Sequence, residues 1–225
     1  MKPLTNLRKE PDPAWPIDLI LSIAIIAGTF VYIWCLALGA KWSAVFLVPP
    51  IILLWRVQRQ TVFSLGLAFS EFRASFRRWR VLWVFVIVVF LVLQWRVLLQ
   101  PSAIYSGFVY YGWCVAQQLL YQSVVYVVFR RAFRNRILAV CFAALVFAAL
   151  HAPNPVLVCG CLLWGVVSSL LFDGCRSVLA LALMQVFLSS TAMAITPYEI
   201  HRGFRIGPFY RSAPRARPVA MLRER

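Results

Sequence analysis

The chain has 225 residues, of which 62% are hydrophobic and 13% are charged, and 23 basic residues stand against 7 acidic ones. Soluble domains are about half apolar, so this composition indicates an integral membrane protein. The arginines are dispersed between and beyond the apolar segments and form no basic soluble domain, which argues against a nucleic-acid partner. Membrane lipids are the partners that this charge distribution predicts.

Apolar segments near the length that crosses a bilayer, about twenty residues, predict seven helices. The second segment is short and contains Pro49 and Pro50, so it is either kinked or crosses only with help from its flanks. The expected fold is an all-α integral membrane protein, a polytopic bundle of about seven to eight transmembrane helices. The predicted helices lie near residues 17–38, 43–55, 81–99, 104–129, 137–151, 156–172 and 178–195.

The segment "VFSLGLAFSEFRASFRRWR", residues 62–80, separates the second and third predicted helices. Its leucines and phenylalanines alternate with arginines at helical spacing. This pattern predicts an amphipathic helix that lies in the membrane interface.

Basic residues in the short loops predict the orientation of the bundle. They cluster in the N-terminal tail, in the 56–80 link and in "RRAFRNR", residues 130–136, which places these segments in the cytoplasm. The loops that begin at Gln100 and His151 then face outward. Seven arginines beyond residue 201 also favour the cytoplasm, whereas seven crossings would leave them outside. Either one segment is re-entrant or crosses twice, or the tail departs from the rule.

Polar side chains occur at helical spacing on three of the predicted helices. Residues three and four apart share a helix face, and intramembrane polar residues usually face protein, so a common interior site is expected. Amides that only join one helix to another would give the same pattern. The residues are Tyr111, Gln117, Gln118, Gln122 and Tyr126 on the fourth helix, His151 at the end of the fifth, and Gln185 and Ser189 on the seventh.

Three of these stretches, "QQLLYQ", "FAALH" and "QVFLS", resemble the signature motifs of the CPBP family of intramembrane proteases, named for CAAX proteases and bacteriocin-processing enzymes. Their order, separation and placement on helices agree with that family. The resemblance implies an intramembrane protease core at residues 64–195, after an N-terminal tail and first hydrophobic helices at 1–63 and before a basic C-terminal tail at 196–225. It also implies that the first motif activates water and that histidines polarise it and stabilise the oxyanion.

Most motif positions differ from the family pattern, and only Phe147 and His151 match it. A glutamine cannot accept and return a proton near neutral pH, and loss of a general base typically costs about 10²- to 10⁴-fold in rate. The substituted positions are Gln117 and Gln118 for two glutamates, Gln122 for an arginine, Gln185 for a second histidine and Ser189 for an asparagine.

Two functions are therefore open. In the first, the protein is an endopeptidase for membrane-associated or exported peptides, with His151 as the base and with Gln117, Gln118 and Gln185 as oxyanion donors. In the second, it is an inactive relative that binds a membrane partner or gives bacteriocin-type immunity. A third class, a small transporter or channel, would want charged residues lining a path through the bundle, and glutamines with one histidine are thin support for it. A lone intramembrane histidine cannot hold zinc, so no metal or cofactor is expected. The expected location is the bacterial inner membrane.

Overall fold

A computed structural model describes residues 15–36, 51–52, 55–56, 65–98, 101–133 and 135–212. Regular structure within these ranges is entirely helical, which confirms the all-α class. The longer elements are α1 (Trp15–Val31) with a π-helical end (Tyr32–Leu36), α2 (Phe69–Arg78), α3 (Arg80–Leu98), α4 (Pro101–Leu119), a π-helical segment (Leu120–Tyr126), α5 (Val127–Ala132), α6 (Arg136–Ala149), α7 (Pro155–Gly174) and α8 (Val178–Ile195). The short elements that follow are α9 (Tyr198–His201), a 3₁₀ turn (Arg202–Phe204) and α10 (Pro208–Arg211).

Most of the predicted helices have observed counterparts whose ends differ by a few residues. The second predicted helix, 43–55, lies outside the described residues apart from 51, 52 and 55. The fifth ends at Ala149, so His151 lies in the turn after α6 and not at the end of the helix. The predicted amphipathic segment forms α2, which buries Glu71 and Ser75.

Short polar side chains determine where three of the long helices begin. Asn135 accepts hydrogen bonds from the backbone N–H groups of Ile137 and Leu138 at the start of α6. Asn154 caps α7, whose first residue is Pro155, and Ser177 caps α8. Each cap accepts from a backbone donor that the first helical turn cannot satisfy itself.

Two helices, α7 and α8, are long and apolar enough to cross a membrane by length and composition. Apolar side chains also cover the outside of the other long helices, where a water-soluble protein would carry polar groups. Examples that are more than half exposed are Val81 and Val92 on α3, Phe108 and Val109 on α4, Ile137 and Leu145 on α6 and Leu163 on α7.

Helix α6 packs closely along α7, and α8 packs against both α3 and α4. Small residues allow the first contact: a Cβ on Gly165 would lie 3.0 Å from both the Cα and the Cβ of Ala144. Small residues at such crossings let helix backbones approach each other in membranes. Helices α7 and α8, although consecutive, touch over few residues. The space left between them adjoins α4 and contains the candidate site.

The chain after α8 folds back over the turn that carries His151. The Gly207 N–H donates to the Ala152 carbonyl at 2.9 Å. The Asn154 side-chain amide donates to the carbonyls of His201, at 2.8 Å, and Arg205, at 3.1 Å. The sequence assigned residues 196–225 to a basic tail; the described part of this segment is folded against the bundle, and residues 213–225 lie outside the described ranges.

Candidate functional site

The structure brings together residues from the three predicted polar clusters. Gln118 and Gln122 are fully buried, and Gln185 and His151 are almost so. Gln117 is half-buried at the edge of a cavity. The polar groups therefore meet inside the bundle, where water does not compete for their hydrogen bonds.

Four glutamine side chains form a continuous chain of amide hydrogen bonds. Gln122 Nε2 donates to Gln118 Oε1 at 3.1 Å, and Gln118 Nε2 donates to Gln185 Oε1 at 2.6 Å. Gln185 Nε2 then donates to Gln117 Oε1 at 2.8 Å. We call these four side chains the amide chain. It runs from the buried Gln122 to Gln117 at the cavity, and it joins α8 to the helix that carries the other three.

The two ends of the amide chain are different. At the buried end, Gln122 Oε1 has no hydrogen-bond partner among the described residues. At the cavity end, the Gln117 carbonyl accepts from Gln185, so its NH₂ group is the part left to face a ligand. An amide NH₂ is a donor and cannot accept. The cavity is therefore supplied with a hydrogen-bond donor at this position.

A π-helical segment, Leu120–Tyr126, holds the middle of this site, and the sequence did not predict it. Its wider hydrogen bonding is seen where the Val127 N–H donates to the Gln122 carbonyl. Six consecutive residues, from Tyr121 to Tyr126, are buried, because neighbouring helices surround the segment on all sides. Single π turns inside α-helices occur frequently at functional sites.

His151 is fixed by the end of its own helix. Its Nδ1 atom lies 2.7 Å from the Phe147 carbonyl oxygen, which can only accept, so Nδ1 carries the proton of the neutral ring. The Nε2 atom then has a lone pair and has no hydrogen-bond partner among the described residues. His151 lines the cavity, and a neutral imidazole nitrogen in that position is a hydrogen-bond acceptor and a candidate base.

The main cavity has a volume of about 610 Å³ and lies between α4, α7 and α8. Residues 203, 204 and 206 of the returning segment form part of its wall. A second, mainly apolar cavity of about 240 Å³ extends toward α1, with Thr29 and Ile33 in its wall. His151 and Gln117 line both cavities and therefore stand where the two meet.

Ser189 lines the main cavity but does not join the amide chain. Its hydroxyl donates to backbone carbonyls of its own helix, those of Gln185 at 2.6 Å and Val186 at 3.2 Å. Tyr111, placed on the polar stripe by its spacing, instead donates to the Leu179 carbonyl at 3.2 Å. Tyr126 is buried beyond the far end of the chain. The predicted stripe thus splits into an amide chain and two tyrosines outside it, of which Tyr111 bonds to a backbone carbonyl and Tyr126 has no hydroxyl partner among the described residues.

Two residues that sequence reasoning missed connect the site to α7, Trp164 from α7 itself and Tyr121 from the π-helical segment. The Trp164 indole N–H donates to Gln185 Oε1 at 3.2 Å. The Tyr121 hydroxyl donates to the Gly165 carbonyl at 2.9 Å and lies 2.8 Å from the Ser169 hydroxyl. Trp164 lies in an apolar stretch and Tyr121 lies within the first motif-like stretch. In neither case does the sequence show that the polar atom has a partner on another helix.

Carboxylates lie away from this cavity in the described part of the chain. Asp173 pairs with Arg136 at 2.6 Å, and Glu71 lies beside the Cys175 thiol. Within the same ranges, no group of three histidine, cysteine or acidic side chains is arranged to hold a metal ion. The polar groups that line the cavity are thus neutral amides, an imidazole, an indole and hydroxyls.

Comparison with models of protein families, with curated proteins and with solved structures gives no match for this chain. What the site can do is therefore argued from its chemistry. One donor, the Gln117 NH₂, and one acceptor, His151 Nε2, line a single cavity, and this pairing is complementary to the C=O and N–H of a peptide group.

Proposed function

We propose that the chain is a CPBP-like membrane protein with seven to eight crossings, located in a bacterial inner membrane. The apolar outer faces of the long helices, the two helices of full crossing length and the three motif-like stretches support this proposal. On the loop charges, the His151 turn opens away from the cytoplasm. A reporter fusion after Pro155 tests that orientation, because a cytoplasmic signal would reverse it.

We further propose that the protein is an endopeptidase for membrane-associated or exported peptides. The observation that carries this proposal is the pairing of an unbonded His151 Nε2 with the Gln117 NH₂ at one cavity. Nε2 takes a proton from water, and the resulting hydroxide attacks the peptide carbonyl carbon. Gln117 donates to the oxyanion that forms. The protonated ring then returns its proton to the leaving nitrogen as the C–N bond breaks.

The neutral surroundings of His151 set the speed of such a reaction. The Phe147 carbonyl orients the ring through Nδ1, but it stabilises an imidazolium less than a carboxylate does. A carboxylate that acted as general base would raise the rate about 10²- to 10⁴-fold. No carboxylate lines the cavity among the described residues. We therefore propose a slow hydrolase, whose turnover depends on preorganised donors more than on proton transfer.

A second candidate function is binding without cleavage. The observation that favours it is that the four amides use most of their donors and acceptors in bonds to one another and leave a neutral, mainly apolar cavity. Such a cavity suits a membrane peptide that stays bound, as in a partner-binding or immunity protein. In this case His151 contacts the ligand but transfers no proton.

One comparison separates the two functions. Wild type, His151→Ala and the double variant Gln117→Glu with Gln118→Glu are purified in lipid and incubated with membrane peptides from the same cells, and products are identified by mass spectrometry. The control is His201→Asn, which removes the other histidine and keeps a side-chain acceptor for the Gly203 N–H. Products from wild type and His201→Asn that disappear with His151→Ala support the hydrolase. Specific retention of an uncut peptide by folded wild type supports binding instead.

A further inference from the structure

The hydrogen bonds of the amide chain all point one way, from Gln122 toward Gln117. The four glutamines alone do not determine this direction. A glutamine amide rotated by a half-turn exchanges its oxygen and its NH₂ group. If all four amides rotated together, the same three side-chain hydrogen bonds would run the opposite way. Gln117 would then present its carbonyl oxygen to the cavity in place of its NH₂ donor, beside the acceptor His151 Nε2.

Trp164 distinguishes the two directions. Its indole nitrogen is only ever a donor, and it lies 3.2 Å from the same Gln185 atom that accepts from Gln118. That atom must therefore be an oxygen. In the reversed chain, the Gln185 NH₂ would face the indole N–H, and this half-buried donor would lose its partner. Loss of such a hydrogen bond disfavours the reversed direction by roughly 2- to 13-fold.

We propose that Trp164 is a positioning residue that sets the direction of the amide chain, so that Gln117 presents its NH₂ to the cavity. The ligand at this point is then one that offers a hydrogen-bond acceptor, such as a peptide carbonyl. The direction of the chain stands independently of the proposed function; only the peptide as ligand rests on it. Trp164 acts here through Gln185 and Gln117, two hydrogen bonds away from the donor that it orients.

Proton NMR of the wild-type protein in lipid nanodiscs tests the direction without any ligand. The Trp164 indole proton and a Gln118 side-chain proton point at one oxygen, so a strong nuclear Overhauser effect between them is expected. The reversed chain would instead bring the indole proton against the side-chain protons of Gln185. A stronger effect from Trp164 to Gln185 than to Gln118 would overturn the proposal, whether or not the protein cleaves peptides.

The variant Trp164→Phe tests the consequence for the cavity. It keeps an aromatic ring and removes the donor, so both directions become similarly populated. The matched control is Trp83→Phe, because the buried Trp83 indole nitrogen has no hydrogen-bond partner among the described residues. The probe is N,N-dimethylacetamide, which accepts hydrogen bonds and cannot donate them.

In wild type and Trp83→Phe, we expect the probe to shift the Gln117 side-chain proton resonances. In Trp164→Phe, the probe-induced shift falls about twofold. The two directions of the amide chain then give two sets of Gln117 resonances, or one averaged set if they interconvert quickly. An undiminished shift in a folded Trp164→Phe protein contradicts the proposal. If the proposed hydrolase function is wrong, the peptide-cleavage assay gives no products. The Gln117 resonances measured here do not depend on that result.

Discussion

His151 and Phe147 are joined twice, by the 2.7 Å contact from Nδ1 to the Phe147 carbonyl oxygen and by an edge-to-face ring contact with centroids 4.8 Å apart. Phe147 in turn stacks on Tyr121 at 4.6 Å. The imidazole is thus held by the end of α6 and, through one intervening ring, by the helix that carries the glutamines. Its orientation therefore depends on neutral partners.

The two histidines of the chain should have opposite neutral tautomers. His151 donates through Nδ1, whereas Nδ1 of His201 accepts from the Gly203 N–H at 2.9 Å and so carries no proton. At pH 8, where neutral histidine predominates, nitrogen-15 NMR should show protonated Nδ1 for His151 and protonated Nε2 for His201. A proton on Nε2 of His151 would mean that this atom is not the free base that the proposed reaction needs.

Removal of the central glutamine should destabilise the bundle more than loss of a peripheral one. Gln118 makes two side-chain hydrogen bonds within the amide chain, whereas Gln94 makes one, to the Ser190 carbonyl at 2.7 Å. Gln118→Leu should lower the free energy of unfolding by about 1 to 3 kcal/mol, because it strands the buried Gln122 NH₂ group and leaves Gln185 Oε1 with the Trp164 N–H alone. Gln94→Leu should lower it by about 0.6 kcal/mol. Denaturation in mixed micelles measures both changes in unfolding free energy. Equal changes would show that the hydrogen bonds of the amide chain do not reinforce one another.

Two glycines of α7 should respond differently to alanine. A Cβ on Gly165 would lie 3.0 Å from Ala144 and 3.1 Å from the Tyr121 hydroxyl, so Gly165→Ala should cost about 1 to 3 kcal/mol through overpacking. Gly160 has nothing within 4 Å of its would-be Cβ. Gly160→Ala should therefore leave stability unchanged or raise it by up to about 1 kcal/mol. Thermal unfolding compares the pair, and a neutral Gly165→Ala would refute the close α6–α7 contact.

Asn154 has two functions, which a single substitution separates. Its oxygen caps α7, and its NH₂ group holds the returning segment through the carbonyls of His201 and Arg205. Asn154→Asp keeps the cap and removes both donors, so the Gly207 N–H, bonded to Ala152, should exchange with solvent about tenfold faster in hydrogen-exchange mass spectrometry.

The control for this change is Asn135→Asp. The Asn135 oxygen likewise caps a helix, α6, by accepting from Ile137 and Leu138. Exchange near Gly207 should stay at the wild-type rate in this variant. If both variants speed the exchange equally, the returning segment is held by something other than the Asn154 amide.

Much of the helical layout was predictable from the apolar runs. In a membrane, an apolar run must form a helix, because only then are all its backbone groups hydrogen-bonded within the segment. The capping tendency of Asn135 and Asn154 is a local signal for where α6 and α7 begin, although the helices were predicted without it. The spacing of Gln118 and Gln122 also placed them on one face. These features depend on residues close together in the chain.

The rest of the site depends on partners distant in the chain. Trp164 looks like any core tryptophan, since its acceptor lies 21 positions away on the next helix. The π-helical segment has no signature in residue type, because its wider turn is selected by the helices packed around it. The packing of residues 201–207 on the His151 turn rests on the two Asn154 donors, 47 and 51 positions earlier.

A site built from amides also determines the order in which such a protein assembles. Ionised side chains are costly at the centre of an inserting helix, about 2.5 to 3.5 kcal/mol for an aspartate, lysine or arginine. The helix with Gln117, Gln118 and Gln122 carries no ion there, so it needs no counter-charge when it enters the bilayer. We therefore expect this helix to insert without help from α8, which follows it in the chain and supplies the Gln185 that bridges Gln118 and Gln117. The amide chain then forms only once both helices are in place.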